Sequence, residues 1–285
     1  MEKVTPAGLF ALKQRGQKIT CLTAYDYPTG LLLDEAGIDM ILVGDSLGNV
    51  IQGQETTLPV SMDDMLYHTR VVARGVKRAM LVGDMPFGSF QTSVPEAMRN
   101  AVAFLKAGAT AVKIEGGMEV LPAVEAAVNA GIPVQGHVGL TPMKIHAFGG
   151  YKAQGRTEQT ARRIFKEAAL LQEAGAFSIV LESIAYKLAR VISAELKIPT
   201  IGIGSGPDCD GQVLVWHDAM GLLPGPHPRH VKEFLSGWQV LQQAVGKYVE
   251  EVRGGKFPEE SHSFEIKDFD PETLRHGERE GSRNP

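Results

Sequence analysis

One pattern recurs along the chain and limits what it can fold into: a helical stretch, a glycine, and then a short apolar run that ends in polar residues. Four examples are LLLDEAGIDMILVGDS, AVAFLKAGATAVKIEGG, AVEAAVNAGIPVQGHVG and EAALLQEAGAFSIVLES. Glycine suits the left-handed residue that ends a helix. Short apolar runs without polar alternation are typical of parallel strands covered on both faces. The pattern therefore predicts strands and helices that alternate around a parallel sheet.

Eight strands of this kind can be placed along the sequence. They are Lys18–Thr23, Met40–Gly44, Ala79–Gly83, Ala111–Ile114, Pro133–Gly136, Ser178–Leu181, Thr200–Ile203 and Val213–Trp216. Eight alternating units in 285 residues predict the α/β class and a single-domain (β/α)8 TIM barrel. The alternative is an open doubly wound sheet, which is disfavoured because no GxGxxG motif opens a helix after the first strand.

The C-terminal part of the chain differs from the repeating units. Arg229–Val252 predicts a terminal amphipathic helix. We expect residues 1–265 to form the barrel domain, together with an N-terminal segment and this helix. Residues 266–285 are polar and poor in apolar side chains, which predicts a disordered tail.

Composition excludes several classes of function. The formal net charge is −4, so no basic field attracts nucleic acid. No apolar run reaches the roughly 20 residues needed to span a bilayer, and the N-terminus lacks a signal-peptide pattern. Cys21 and Cys209 are the only cysteines, without the spacing of a zinc site or a disulfide framework. We therefore expect a cytoplasmic protein that binds neither nucleic acid nor membranes.

Charged and polar side chains follow the predicted strands, where barrels of this class carry their active sites. They are Tyr25, Asp26, Asp45, Ser46, Asp84, Lys113, Glu115, His137, Glu182, Ser183 and the run 204–206. Each has a simple structural explanation when it is taken alone. Asp45 and Asp84 can cap helices, and Glu115 can be a solvated loop residue. Lys113 can point out of the barrel, and His137 can be a hydrogen-bonded core histidine.

Taken together, these side chains indicate chemistry. Several carboxylates in one pocket repel each other and need protons or a cation to neutralise them. Oxygen ligands from three strands, without cysteine or paired histidine, suit a hard divalent ion such as Mg²⁺. Bound to the carboxylate and ketone of a 2-oxo acid, such an ion would stabilise an enolate. A further carboxylate could then remove the carbon-bound proton. The strand exits therefore favour metal-assisted carbonyl chemistry.

Several motifs resemble the ketopantoate hydroxymethyltransferase family. In chain order they are TCLTAYDYPTG, ILVGDSLGNVIQGQETTLPVSMDDMLYHTRVVARG, VGDMPFGSF, AVKIEGG, GHVGLTPM, FSIVLE and IPTIGIGSG…DGQVLVWHDAMGL. The resemblance runs from about Ile19 to Leu222 and preserves the order of the motifs. Its most specific part is the long GDSLG…TLPV…YHT block.

The resemblance implies an activity and an assembly. Members of this family transfer a hydroxymethyl group from 5,10-methylenetetrahydrofolate to 3-methyl-2-oxobutanoate, giving 2-dehydropantoate and tetrahydrofolate in pantothenate biosynthesis. They are Mg²⁺-dependent TIM barrels related to the phosphoenolpyruvate mutase and isocitrate lyase group, and they are typically decamers. The implied partners are therefore a small 2-oxo acid, a folate and further copies of the chain.

The resemblance also implies roles for individual residues. The implied metal ligands are Asp45, Asp84 and Glu115, in part through water. The implied contacts to the oxo acid are Asp45, Ser46, Asp84 and Lys113. Glu182 of the VLES motif resembles the general base that takes the C3 proton, and His137 lies in the pocket without an assigned role.

Two alternatives stay open from the sequence. One is a Mg²⁺-dependent carbon–carbon lyase of the same barrel group that acts on a 2-oxo acid. Such relatives often use a cysteine in a mobile loop, and the absence of cysteine from residues 116–135 disfavours this activity. The other is a barrel that binds a metal or ligand without catalysis, for which Glu182→Ala would leave every measurable activity unchanged.

Overall fold

The computed structural model describes residues 2–150, 152–267, 270–272 and 274, so most of the predicted disordered tail (266–285) lies outside the described residues. The chain divides into two compact units, 1–236 and 237–285. The first unit contains all eight strands, and the second begins with a long helix.

Eight parallel strands form a closed barrel, in which each strand pairs with the next and the eighth pairs with the first. The strands are β1 (Ile19–Thr23), β2 (Met40–Val43), β3 (Met80–Asp84), β4 (Ala111–Glu115), β5 (Val134–Gly139), β6 (Ser178–Glu182), β7 (Thr200–Ile203) and β8 (Gly211–Leu214). This architecture confirms the predicted α/β class and the (β/α)8 TIM barrel.

In the first unit, helices follow most of the strands around the outside of the barrel, as the alternating pattern predicts, and α11 belongs to the second unit. The α-helices are α1 (Pro6–Gln14), α2 (Tyr27–Glu35), α3 (Leu47–Val50), α4 (Met62–Ala73), α5 (Val94–Lys106), α6 (Leu121–Asn129), α7 (Ile145–Phe148), α8 (Glu158–Glu173), α9 (Tyr186–Glu195), α10 (Trp216–Ala219) and α11 (Gly237–Arg253). Within the described residues, none of the helices combines the length and apolar character needed to cross a membrane.

Side chains along each strand alternate between the barrel interior and the helix layer, as the pleat requires. In β2, Met40 and Leu42 belong to the interior cluster, whereas Ile41 and Val43 pack in the cluster beneath the helices. Leu9 of α1 packs against the interior cluster. The same alternation puts every second residue of each strand, up to its C-terminal end, inside the barrel.

The structure moves the eighth strand two residues towards the N-terminus relative to the sequence prediction. Gly211 starts β8 because it pairs with both Ile19 of β1 and Ile201 of β7. Trp216, predicted as the last residue of this strand, instead begins α10, and its N–H donates to Thr23 Oγ1 at 2.9 Å. The prediction failed here because barrel closure, which local patterning does not contain, sets the register.

The predicted terminal helix Arg229–Val252 is correct for its C-terminal two thirds only, since α11 begins at Gly237. The residues before α11 make other backbone hydrogen bonds. The Val231 N–H donates to the Pro228 carbonyl at 2.9 Å, and the Phe234 N–H donates to the Ala219 carbonyl at 2.7 Å. These bonds replace the helical pattern and hold the segment against the barrel unit.

Candidate active site

A cavity of about 680 Å³ opens at the C-terminal end of the barrel strands. It brings together every site residue singled out by the resemblance, which are Asp45, Ser46, Asp84, Lys113, Glu115, His137 and Glu182. Five of them come from strand ends whose side chains alternate into the barrel, while the β2 pair follows the strand. The cavity therefore gathers the strand-exit residues as the fold predicted.

Lys113 and Asp84 form the innermost ion pair of the cavity. Lys113 Nζ lies 2.7 Å from Asp84 Oδ1, and the two residues are 4% and 1% exposed. Burial lowers the pKa of Lys113, but Asp84, Asp45 and Glu115 together outweigh this effect and raise the pKa above its ordinary value. Lys113 therefore stays charged and faces the cavity, which rules out the alternative that it points out of the barrel.

Asp45 lies beside this ion pair rather than capping a helix. Its N–H donates to Asp84 Oδ2 at 3.2 Å, while α3 starts without a side-chain cap. Asp45 Oδ2 is buried and has no hydrogen-bond partner in the described part of the chain. Burial, followed by repulsion from Asp84 and Glu115, raises the pKa of Asp45 well above its ordinary value despite the opposing charge of Lys113. A cation at this position would relieve the repulsion.

Glu115 is a buried carboxylate and not the solvated loop residue that it could be from sequence alone. It is 3% exposed, and its Oε1 accepts the Met143 N–H at 3.0 Å. Its Oε2 lacks a hydrogen-bond partner among the described residues and lies 3.4 Å from His137 Nδ1. Glu115 thus adds a second buried carboxylate oxygen without a hydrogen bond to the one on Asp45.

His137 connects the inner group of charges to Glu182. Its Nε2 lies 3.3 Å from Glu182 Oε2, and its Nδ1 lies 3.3 Å from Lys113 Nζ. Burial and the charge of Lys113 lower the pKa of His137, but interactions with Glu115 and Glu182 raise it to about 9. The Glu182 side chain is 19% exposed, against 1% for that of Glu115. Glu182 is therefore the carboxylate open to an entering ligand.

The backbone of Glu182 is fixed by the neighbouring strand. Its carbonyl accepts the Leu140 N–H at 2.8 Å. Gly139 permits this approach, because its φ is +105° and a Cβ there would lie 2.3 Å from the Glu182 carbonyl oxygen. Strands β5 and β6 therefore hold the position from which the Glu182 side chain enters the cavity.

Three other strand-exit residues have structural roles. Asp26 caps α2, since its Oδ1 accepts the Thr29 N–H at 2.8 Å. Tyr25 is buried, and its hydroxyl lies 2.8 Å from Ser46 Oγ, which fixes that side chain at the cavity. Ser205 Oγ donates to the Leu181 carbonyl at 2.7 Å. A position at the end of a strand is therefore not enough to predict whether a residue has a functional or a structural role.

The outer wall contains residues that the sequence analysis did not single out. They include Asn49, Glu55, Thr57, Asp218, Pro228, Arg229 and His230. Arg229 and His230 belong to the segment that was predicted to be helical, and Pro228 directly precedes it. The sequence that leads into this segment, PGPHPRH, is rich in proline and basic residues, and this composition was the signal available for a loop that could face a ligand.

Within the part of the chain that the structure describes, no three His, Cys, Asp or Glu side chains form a group that could hold a metal ion. The buried oxygens of Asp45 and Glu115 without hydrogen bonds nevertheless mark the acidic end of the cavity as deficient in positive charge. Carboxylate oxygens are ligands that Mg²⁺ prefers. The residues present therefore fit a hard cation that takes part of its coordination from water or from a ligand.

Comparison with known proteins gives consistent matches over nearly the whole chain. The sequence profile of the ketopantoate hydroxymethyltransferase family matches residues 3–260. A 3-methyl-2-oxobutanoate hydroxymethyltransferase of Acetivibrio thermocellus is 54% identical over 94% of this chain and 95% of its own length. The protein of the same name from Moorella thermoacetica is 54% identical over 92% of this chain and 98% of its own length.

Solved structures with the same architecture are more distant in sequence. A phosphonopyruvate hydrolase, crystallised with oxalate and Mg²⁺, has a TM-score of 0.59 at 16% identity and covers 89% of this chain and 99% of its own. A 2,3-dimethylmalate lyase of the phosphoenolpyruvate mutase and isocitrate lyase superfamily has a TM-score of 0.53 at 17% identity, over 96% of this chain and 94% of its own. At these identities the likeness concerns the fold.

Proposed function

Because this chain belongs to the ketopantoate hydroxymethyltransferase family, and is therefore an enzyme of the transferase class, we propose that it transfers a hydroxymethyl group from 5,10-methylenetetrahydrofolate to 3-methyl-2-oxobutanoate. The products are 2-dehydropantoate and tetrahydrofolate, and the reaction is a step of pantothenate biosynthesis. The observation that carries the proposal is the 2.7 Å ion pair of Lys113 and Asp84, with Asp45 and Glu115 on one side of it and the more exposed Glu182 beyond.

Asp45, Asp84 and Glu115 would hold a Mg²⁺ ion at the acidic end of the cavity. Water and the oxygens of the oxo acid would complete its coordination, because Mg²⁺ commonly binds through one or two carboxylates and keeps several waters. When bound, the ion supplies positive charge to the carboxylate and ketone oxygens of the substrate. Ser46, held by the Tyr25 hydroxyl, offers a further hydrogen bond to the oxo acid.

Lys113 provides the protein's own positive charge at this end of the cavity. Removing a proton from C3 of the oxo acid moves negative charge onto its ketone oxygen. A buried ammonium that is already fixed by Asp84 stabilises that oxygen without having to reorient during the reaction. Lys113 therefore favours the charge distribution of the transition state over that of the bound substrate.

Glu182 takes the C3 proton in this proposal. Its Oε2 lies beside His137 Nε2, while its Oε1 has no hydrogen-bond partner among the described residues. The free oxygen can accept a proton from a substrate in the open part of the cavity. His137, placed between Glu182 and Glu115, keeps the base separated from the buried carboxylates.

The size of the cavity supports a reaction with two substrates. About 680 Å³ is a volume that accommodates drug-sized ligands and exceeds what a five-carbon acid needs. The outer part, bounded by Asn49 and Pro142 in the segments after β2 and β5 and by residues 228–230, can admit the flat pterin of the folate. The one-carbon donor would then face the deprotonated C3 atom.

The test of this function is a product assay. The purified protein is incubated with both substrates and Mg²⁺, and 2-dehydropantoate is detected by mass spectrometry. We expect product from the wild type, and a loss of about 10²–10⁴-fold in Glu182→Gln, as removal of a general base produces. Glu195→Gln changes an exposed glutamate of α9 and serves as the matched control. Absence of product from the wild type would refute the proposal, and cleavage of a 2-oxo acid in its place would favour the lyase alternative.

The family resemblance also leads us to propose a homodecamer. Helix α11, considered by itself, exposes apolar side chains at spacings of three and four residues, which is the pattern of a helix face that packs against another. These side chains are Trp238, Leu241, Val245, Tyr248 and Val252. Light scattering should give ten times the mass of one chain, and a monomer would contradict the proposed assembly.

A further inference from the structure

Ser183, the residue after Glu182, has an unusual backbone conformation. Its φ is +48°, and no other non-glycine residue in the described part of the chain has a positive φ. In a regular strand, consecutive side chains point to opposite faces, so the Ser183 side chain would face away from the cavity. Both Glu182 and Ser183 line the cavity instead. The left-handed turn therefore brings a second polar side chain to the site.

Neighbouring segments hold Ser183 in this conformation. Its N–H donates to the Ile203 carbonyl at 2.8 Å, and its carbonyl accepts the Gln154 N–H at 2.8 Å. The Ala185 N–H donates to the Gln154 carbonyl at 3.2 Å. Strain of this kind persists only where the surroundings enforce it, and it is concentrated at functional sites. The Ser183 hydroxyl, however, makes no hydrogen bond within the described residues. These backbone contacts therefore fix the turn but give the hydroxyl no structural role.

The Ser183 hydroxyl and the His230 ring, which both line the cavity, approach each other at Gly204. A Cβ added to Gly204 would lie 3.1 Å from Ser183 Oγ and 3.1 Å from His230 Nδ1. Both distances are shorter than an ordinary contact to a Cβ, so glycine lets the two side chains approach the backbone here, and its φ of +65° suits the left-handed region. The exposed His230 ring makes no hydrogen bond to the described residues. A hydroxyl and an imidazole nitrogen thus lie near one point of the cavity wall, where each can bind water.

The proposed reaction requires an oxygen atom that neither organic substrate provides. The methylene carbon of the folate is bonded to two nitrogens and carries no oxygen, whereas the transferred group ends as a hydroxymethyl. Water must therefore add to this carbon, with one carbon–nitrogen bond breaking as the carbon–oxygen bond forms. A pocket for this reaction needs groups that hold one water and exchange protons with it.

We propose that Ser183 Oγ and His230 Nδ1 hold the water that adds to the one-carbon unit, an inference that rests on the proposed function. His230 takes a proton from the water as oxygen bonds to the methylene carbon, and returns it to the nitrogen that is released. The hydroxymethyl group then loses its hydroxyl proton to the second nitrogen, which leaves as the second carbon–nitrogen bond breaks. C3 of the enolate attacks the resulting formaldehyde, and the formaldehyde oxygen takes the proton that Glu182 had removed from C3.

The charge near His230 suits this role. Asp218 lines the same wall of the cavity, where it interacts electrostatically first with His227 and then with His230. Ser183 completes the arrangement as a neutral group that can donate to or accept from the water oxygen.

The test separates the one-carbon step from enolate formation. The variants are Ser183→Ala, Ser183→Gly and His230→Gln, and His146→Gln is the control because His146 is exposed and does not line the cavity. We expect transfer from methylenetetrahydrofolate to fall at least about tenfold in the three variants. Their Mg²⁺-dependent deuterium exchange at C3 of the oxo acid should match that of the wild type. Formaldehyde, which already carries the oxygen, should restore product formation when it replaces the folate.

Ser183→Gly tests the backbone role separately, since glycine adopts the left-handed conformation freely but has no hydroxyl. The inference is overturned if Ser183→Gly keeps full transfer, if C3 exchange falls in parallel with transfer, or if formaldehyde fails to rescue the variants. If the wild type forms no product with either methylenetetrahydrofolate or formaldehyde, the proposed function itself is refuted, and this inference with it. If the wild type is active and His230→Gln transfers the one-carbon unit at the same rate, the inference is refuted and the proposed function is not.

Discussion

The ammonium of Lys113 lies 2.7 Å from a carboxylate oxygen of Asp84, and the two residues are opposite each other in the register of β4 and β3. Both side chains point into the barrel, where water is largely excluded. The attraction between two charges in such a place has to offset the cost of removing both from water. Breaking the pair should therefore lower the stability of the protein and, in the proposed mechanism, its catalytic rate.

Replacing Lys113 by methionine should affect both properties. The change leaves buried carboxylates without their positive partner, which costs about 3–5 kcal/mol of unfolding free energy when a buried pair is broken. The rate constant kcat should fall by about 10²–10³-fold, as when one group that stabilises a developing oxyanion is removed. Urea denaturation and steady-state kinetics measure the two effects. Lys166→Met, on an exposed position of α8, is the control, and wild-type kinetics in Lys113→Met would contradict the role of the ammonium.

Asp45 should govern the response of the protein to magnesium. A ligand at about 100 times its Kd stabilises the folded state by about 2.7 kcal/mol, so saturating Mg²⁺ should raise the melting temperature of the wild type and a chelator should reverse the rise. We expect Asp45→Asn to lose most of this shift, because the amide cannot supply the negative charge. Asp63→Asn, at an exposed position of α4, should keep the shift. A full magnesium shift in Asp45→Asn would place the ion elsewhere.

His137 should act on the base without being required for folding. Its ring contacts Glu115 and Glu182, and outer-shell partners of metal ligands typically contribute about 10–100-fold to metal affinity or activity. We expect His137→Gln to lower kcat within this range while leaving the circular dichroism spectrum unchanged. Activity equal to that of the wild type would show that the position of Glu182 does not depend on the imidazole.

A prediction about stability concerns Asp34 of α2, far from the chemistry. Its carboxylate accepts the N–H groups of Lys77, Arg78 and Ala79 before β3. We expect Asp34→Ala to lower the free energy of unfolding by about 1–3 kcal/mol, the cost of leaving buried donors unsatisfied. Urea denaturation at neutral pH measures this loss. An unchanged denaturation midpoint would mean that water replaces the carboxylate without cost.

The Asp34 contribution should also depend on pH in a defined direction. Burial raises the pKa of Asp34, but hydrogen bonds from Ala79, Lys77 and Arg78 outweigh this effect and hold the pKa below its ordinary value. A pKa that is lower in the folded state gives stability that is present above the unfolded pKa, about 3.9, and is lost as the pH falls through the folded pKa. The difference between wild type and Asp34→Asn should therefore shrink in acid, and a growing difference would contradict the assignment.

Most of the barrel was predictable from sequence because the strands are short and apolar, and several of them follow a glycine that ends a helix. The pattern located β1, β2, β3, β4, β6 and β7 to within one residue, and it ended β5 three residues early. It misplaced β8 because Gly211 belongs to the strand only through its pairing with β1 and β7. Local sequence periodicity does not show which distant strands pair to close the barrel.

The candidate site was predictable at its acidic end and not at its outer wall. Asp45, Asp84 and Glu115 each follow a strand, and parallel strands end at one edge, so topology alone brings them to one cavity. Ser183 was visible as a strand-exit residue, but its left-handed backbone depends on contacts with Gln154 and Ile203, which only the folded chain provides. Arg229 and His230 reach the cavity from the irregular start of a segment that the apolar periodicity had suggested was helical.

The most direct measurement of the central claim follows the exchange of the C3 hydrogen of 3-methyl-2-oxobutanoate in D₂O by NMR, without folate. The wild type and Glu195→Gln should exchange this hydrogen when Mg²⁺ is present and stop when it is chelated, and Glu182→Gln should not exchange it under either condition. Exchange in Glu182→Gln at the wild-type rate, or exchange that ignores the metal, would contradict the account of Glu182 as the base of a metal-assisted proton transfer.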